Sequence, residues 1–151
     1  MRSAPDTILL VEDDLSQAEL IRANLEIGNI PQEIVHVSDG QEALDFVRRL
    51  GAFQQRPAAT ILILLDLRLP RMDGLEFLRQ LKHDQGIIRQ TPVLVFAAGD
   101  NPDLIATCYE LGCSLFFSKP PLFEDFIGTI ERLAGLIQAV SVPAIYVIGD
   151  R

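Results

Sequence analysis

Five short apolar runs punctuate the chain, at residues 7–11, 33–37, 61–65, 93–97 and 114–117, each bounded by polar or turn-forming residues. Runs of this length, with amphipathic stretches between them, predict buried strands of a parallel sheet alternating with helices. Helix starts are marked by capping signals. Ser16 with Glu19 and Ser38 with Gln41 have the spacing at which N-cap and N3 side chains satisfy each other's backbone amides, and Asp73 with Glu76 repeats it. Asn101 followed by Pro102 places proline at a first helical position. Helices are therefore expected near residues 16, 39, 74 and 102. A fifth is predicted by Phe123, Phe126, Ile127, Ile130, Leu133, Ala134 and Ile137, which share one helical stripe. The fold class is α/β, a five-fold βα alternation. Residues 51–59, rich in Gln, Arg and Pro, read as a looser connection.

After residue 138 the chain runs on as AVSVPAIYVIGDR. This divides it into a domain at 1–138 and an apolar extension at 139–151. Pro143 argues against a central strand there. Ile145, Tyr146, Val147 and Ile148 would form an exposed apolar stripe unless covered, either by their own domain or by a second copy; a dimer contact is expected.

Composition narrows the function classes. Of 151 residues, 48% are hydrophobic and 23% charged, ordinary values that exclude disordered and fibrous chains. The net charge of −8 argues against a nucleic-acid surface, and the basic residues between Arg48 and Arg89 are interleaved with acidic and apolar ones. Cys108 and Cys113 fit no metal or redox spacing and read as buried free thiols. The N-terminus meets acidic residues too early for a signal peptide, and no apolar stretch approaches the roughly 18 residues of a membrane span, so a cytoplasmic protein without a membrane partner is expected.

In parallel α/β sheets, ligands gather beyond the carboxyl ends of the strands. Glu12, Asp13 and Asp14 follow the first run, Asp66 the third, Ala97 and Ala98 close the fourth, and Lys119 lies just past the fifth. Two carboxylates about 4 Å apart repel by about 4 kcal/mol at an effective dielectric near 20. A divalent cation relieves such repulsion, and oxygen-only ligation suits Mg²⁺. Asp14 reads as a helix cap, whereas Glu12, Asp13 and Asp66 converge with Lys119 as a metal site.

These residues carry a resemblance. ILLVEDD at 8–14, LLDLRLPRMDG at 64–74, PVLVFAA at 92–98 and FFSKP at 116–120 match in order the signature stretches of response-regulator receiver domains, and the likeness spans about residues 7–138. It implies a doubly wound (βα)5 fold of the flavodoxin-like, CheY-like kind, with a five-stranded parallel sheet. It also implies phosphoryl transfer from a sensor histidine kinase to Asp66. Glu12, Asp13, Asp66 and the backbone carbonyl of Arg68 would hold Mg²⁺, and Lys119 would contact the phosphoryl oxygens. The Lys119–Pro120 bond would be cis, as is usual in the family. Such a module is a phosphoacceptor with at most self-dephosphorylation, not an enzyme proper. Aspartate-nucleophile phosphatases want a second acid two residues beyond the nucleophile, where Arg68 stands.

Two positions depart from the family pattern. Receiver domains carry Thr or Ser where Ala97 stands, and the paired aromatic switch position holds Phe116. Losing that hydroxyl removes a bond worth roughly 1.5–3 kcal/mol, against the about 5.5 kcal/mol that carries a two-state equilibrium from 1:99 to 99:1. The alternative reading is a phosphorylation-independent interaction scaffold. With no output domain after residue 138, a single-domain regulator acting through protein binding is expected. The 51–59 connection and the apolar tail resemble regulators associated with bacterial phytochromes, which implies a phytochrome-type kinase as partner and a homodimer.

Overall fold

Apolar residues of each central strand alternate between two cores, and that alternation decides the architecture. The computed structural model describes residues 2–143. Five parallel strands, β1 (Thr7–Val11), β2 (Glu33–Val37), β3 (Ile61–Leu65), β4 (Val93–Ala98) and β5 (Leu115–Lys119), form one sheet in the order β2-β1-β3-β4-β5. Five helices alternate with them: α1 (Leu15–Ile27), α2 (Gly40–Arg48), α3 (Gly74–Lys82), α4 (Pro102–Leu111) and α5 (Phe123–Ala139).

Ile8, Leu10, Leu62, Leu64, Leu94 and Phe96 pack against Ile21 and Leu25 of α1 and Ile130, Leu133 and Ile137 of α5. Their neighbours Leu9, Val11, Ile63, Leu65 and Val95 pack against Leu44, Phe77, Leu78, Leu81 and Cys108 of α2, α3 and α4. Period-two strands thus meet helices on both faces, giving the doubly wound α/β fold. Each fully buried Leu or Ile contributes about 1.5–3 kcal/mol.

Most predicted elements form, with instructive shifts. The cap of α1 is Asp14, which accepts from Gln17 N–H, rather than Ser16. The cap of α2 is Asp39, which accepts from Glu42 N–H, while Glu42 Oε1 accepts from Ser38 N–H at 3.0 Å. Asp73 and Asn101 cap α3 and α4 as expected. On α5, Phe126, Ile130, Leu133, Ala134 and Ile137 are buried, but Phe123, the first residue of the helix, is 62% exposed. β5 runs on to Lys119 because Ser118 and Lys119 pair in register with Ala97 and Ala98.

The 51–59 connection is less loose than its composition implies. It holds a 3-10 turn at Gly51–Phe53, and Arg56 lies 4.4 Å over the Phe46 ring while donating to Phe46 O at 2.7 Å. Burial pushes the Arg56 pKa down to about 10. Both cysteines are free and buried, and burial lifts the Cys108 thiol to about 11. Arg2–Ser3 pairs antiparallel with Val142–Pro143, so the start of the extension returns to the chain's beginning, with Pro143 in a two-residue pair at a sheet margin. The apolar stripe from Ile145 lies outside the described residues. Among the described residues, no helix is long and apolar enough to cross a membrane.

Candidate functional site

The strand order reverses at β1 and β3, and an open α/β sheet presents its ligand crevice at that switch point. The sheet's own hydrogen bonding extends one residue past each strand: Glu12 N–H donates to Val37 O at 3.1 Å, and Asp66 N–H donates to Val11 O at 3.0 Å. The backbone ladder therefore fixes the origins of both carboxylates. His36 adds a bond from Nε2 to Glu12 O at 2.6 Å.

Carboxylate oxygens of Glu12, Asp13 and Asp66 all lie within 4.8 Å of one another. Glu12 is 1% exposed and Asp66 8%, whereas Asp13 faces solvent. This set supplies only hard oxygen donors with an open side, which is chemistry that fits a divalent cation. Lys119 closes the site from β5. Its ammonium donates to Glu12 Oε1 at 2.6 Å and Gln17 Oε1 at 2.7 Å and stands 3.5 Å from Asp66 Oδ1. Burial raises the pKa of Glu12; Lys119 opposes that shift and the Asp66 charge adds to it.

The structure brings Glu12, Asp13, Asp66 and Lys119 into one cluster, as their places at the strand ends lead one to expect. The expected cis bond is absent: Lys119–Pro120 is trans, the isomer X–Pro bonds favour, and strand pairing of Lys119 with Ala98 already aims the side chain inward. Asp14 serves as the α1 cap, as read. Gln17 was missed.

Arg68 lies two residues beyond Asp66, exposed, in the loop leading to α3. That loop is pinned at both ends. A Cβ on Gly74 would sit 2.6 Å from Asp66 O, so only glycine allows the loop to fold back and close with the Gly74 N–H to Leu67 O bond at 3.0 Å. Arg71, at φ 62°, donates through Nε to Asp39 Oδ2 at 2.9 Å, tying the loop to the start of α2.

Ala97 is 2% exposed beside Ser118, whose hydroxyl donates to Gly99 O at 2.8 Å. Phe116 is half-buried against the α2–α4 core, and its N–H donates to the Tyr109 hydroxyl at 3.1 Å, a contact with no sequence signal. A cleft of about 780 Å³ opens between α1, β5, the loop leading to α4 and the start of α5, with Gln17, Ala98, Lys119 and Phe123 in its walls.

A family model described as the response regulator receiver domain matches residues 8–131. The chain belongs to this family. The receiver is 30% identical over 141 residues to response regulator Rcp1 of Synechocystis sp. (strain ATCC 27184 / PCC 6803 / Kazusa), covering 93% of this chain and 95% of that protein. The crystal structure of Mn²⁺-bound Rcp1 superposes with a TM-score of 0.85 at 30% identity, covering 93% of this chain and all of that one. The phosphorylated cyanobacterial phytochrome response regulator RcpA gives 0.83 at 30% identity, covering 92% and 99%. The bacteriophytochrome response regulator AtBRR gives 0.71 at 34% identity, covering 93% and 96%. The chain is thus a two-component receiver domain whose relatives include phytochrome response regulators.

Proposed function

We propose that this receiver accepts a phosphoryl group on Asp66 from the phosphohistidine of a sensor histidine kinase, a phytochrome-type kinase being the partner class its relatives favour. One observation carries the reading: a buried carboxylate at the switch point, with two further carboxylates within 4.8 Å and a buried ammonium at 3.5 Å. An oxygen of Asp66 forms the new bond to phosphorus as the bond to the imidazole nitrogen breaks. The imidazole leaves with the electron pair, and the product is an acyl phosphate.

Glu12, Asp13, Asp66 and the backbone carbonyl of Arg68 would hold Mg²⁺, a cation class supported by the oxygen-only donor set and by the Mn²⁺ bound in Rcp1. When bound, the ion offsets the charge gathering on the transferring oxygens. Lys119 presents a compact positive charge to the same oxygens. The reaction is stoichiometric, with at most self-dephosphorylation to follow, and takes place in the cytoplasm.

Output is binding, including a homodimer formed over α4 and β5, where Tyr109 and Leu115 are 45% and 40% exposed, with residues 139–151 contributing. Ala97 favours a second reading, the phosphorylation-independent scaffold: it offers no hydroxyl, and Ser118, its partner in register, already gives its own to Gly99.

Phosphoramidate, a donor with the same phosphorus–nitrogen bond, separates the two. With Mg²⁺, intact mass should show one added phosphoryl group on the wild type and none on Asp66→Asn. A wild type that gains nothing leaves the scaffold standing.

A further inference from the structure

Gln17 reaches Lys119 because of how α1 begins. It is the third residue of the helix, and Asp14 caps the helix by accepting its backbone N–H at 3.1 Å. A glutamine at this position ordinarily returns a bond to the cap residue's own N–H. Here Asp14 N–H already donates to Glu12 Oε2 at 3.2 Å, so the Gln17 amide is released toward the sheet. Its oxygen, the atom able to accept from an ammonium, meets Lys119 Nζ at 2.7 Å. Glu12 therefore acts twice, anchoring Lys119 through Oε1 and freeing the second anchor through Oε2.

An ammonium has three donors. Glu12 and Gln17 take two at 2.6 and 2.7 Å, while Asp66 Oδ1 stands off at 3.5 Å. The Lys119 side chain is 8% exposed, so water contributes little to holding it.

We propose that Gln17 is a positioning residue for Lys119: a neutral acceptor that keeps the ammonium from collapsing onto Asp66 and reserves its third donor for an oxygen of the incoming phosphoryl group. This rests on Asp66 being the phosphoacceptor. Gln17 itself exchanges no proton or electron pair in the transfer. Because it is uncharged, it holds the cation without competing for its charge, whereas an apolar side chain here would leave Lys119 free to pivot about Glu12 onto Asp66.

The sequence supplies a clean test, since Lys82 and Lys119 are its only lysines. Lys82 donates to Arg89 O at 3.1 Å and Thr91 O at 2.6 Å, far along the chain from Gln17, and serves as an internal reference. In metal-free, ¹⁵N-lysine-labelled protein, the Lys119 ammonium should give an exchange-protected signal. Gln17→Met, similar in length but without the acceptor, should lose that signal while Lys82 keeps its own, and Gln17→Glu should retain it.

With phosphoramidate and saturating Mg²⁺, Gln17→Met should take up phosphoryl groups about tenfold more slowly, the scale of one lost bond to a charged group. An unchanged Lys119 signal in Gln17→Met overturns the proposal, as does an unchanged rate accompanied only by a lower melting temperature. If the wild type takes up no phosphoryl group at all, the phosphoacceptor reading itself has failed, whatever the ammonium signal shows.

Discussion

Asp39 and Glu12 are both buried carboxylates with opposite responses to the fold. Burial acts to raise the pKa of Asp39, but the Glu42 N–H and Arg71 outweigh it and the net shift is downward. Its ionised form is favoured by folding, so the stability it adds is present above the ordinary carboxylate value of 3.8 and is lost as pH falls through the lowered one. For Glu12 burial wins, so the stability associated with its protonated form is present below 4.5 and lost as pH rises through the raised value. Melting curves of metal-free protein should therefore show Asp39→Ala flattening the acid limb and Glu12→Gln flattening the decline on the alkaline side of 4.5. Asp39→Ala should also lose about 0.5–2 kcal/mol in urea unfolding near neutral pH through the missing cap. The four charged residues at the site were legible because each stands at or just past a strand end, where a parallel sheet gathers its chemistry. Gln17 was not. Two capping patterns overlap there, Asp14 with Gln17 and Ser16 with Glu19, and even the one that forms would send the Gln17 side chain back to the Asp14 N–H, which Glu12 takes instead.

Among the elements, the loop from β3 to α3 makes the strongest demand on sequence. Gly74→Ala would bring a methyl group within 2.6 Å of Asp66 O and 2.7 Å of Leu67 Cα. It should cost about 1–3 kcal/mol in urea unfolding, as overpacking does, and slow phosphoryl uptake by displacing Asp66. A substitution that leaves both unchanged would mean the loop relaxes freely. The strands were readable from short apolar runs, yet the last pair of residues in β5 was not, since Ser118 and Lys119 look like loop and become strand through pairing with Ala97 and Ala98. Phe123 fits the α5 stripe by period, yet it is the first residue of the helix and stands 62% exposed in the cleft wall rather than in the core, which period alone does not foretell.

Across the whole molecule, the βα alternation announces the doubly wound fold, while the closure of Arg2–Ser3 on Val142–Pro143 joins residues at opposite ends of the chain and has no local signature. If the exposed Tyr109 and Leu115 and the extension support a homodimer, removing residues 141–151 should weaken self-association in sedimentation at micromolar protein; an unchanged profile would count against the extension's part in it. Ala97→Thr should enlarge any phosphorylation-dependent change in that association, by restoring a hydroxyl donor to the end of β4, and an equal response in both proteins would show that the alanine is compensated. The chemistry proposed for this site requires that Asp66 itself carry the phosphoryl group. Borohydride trapping reads this out, since reduction of an aspartyl phosphate converts the aspartate to homoserine. After treatment with acetyl phosphate and Mg²⁺, peptide mass spectrometry should find homoserine at position 66 and nowhere else; homoserine at Asp13 or another aspartate, or at no position, would rule Asp66 out as the acceptor.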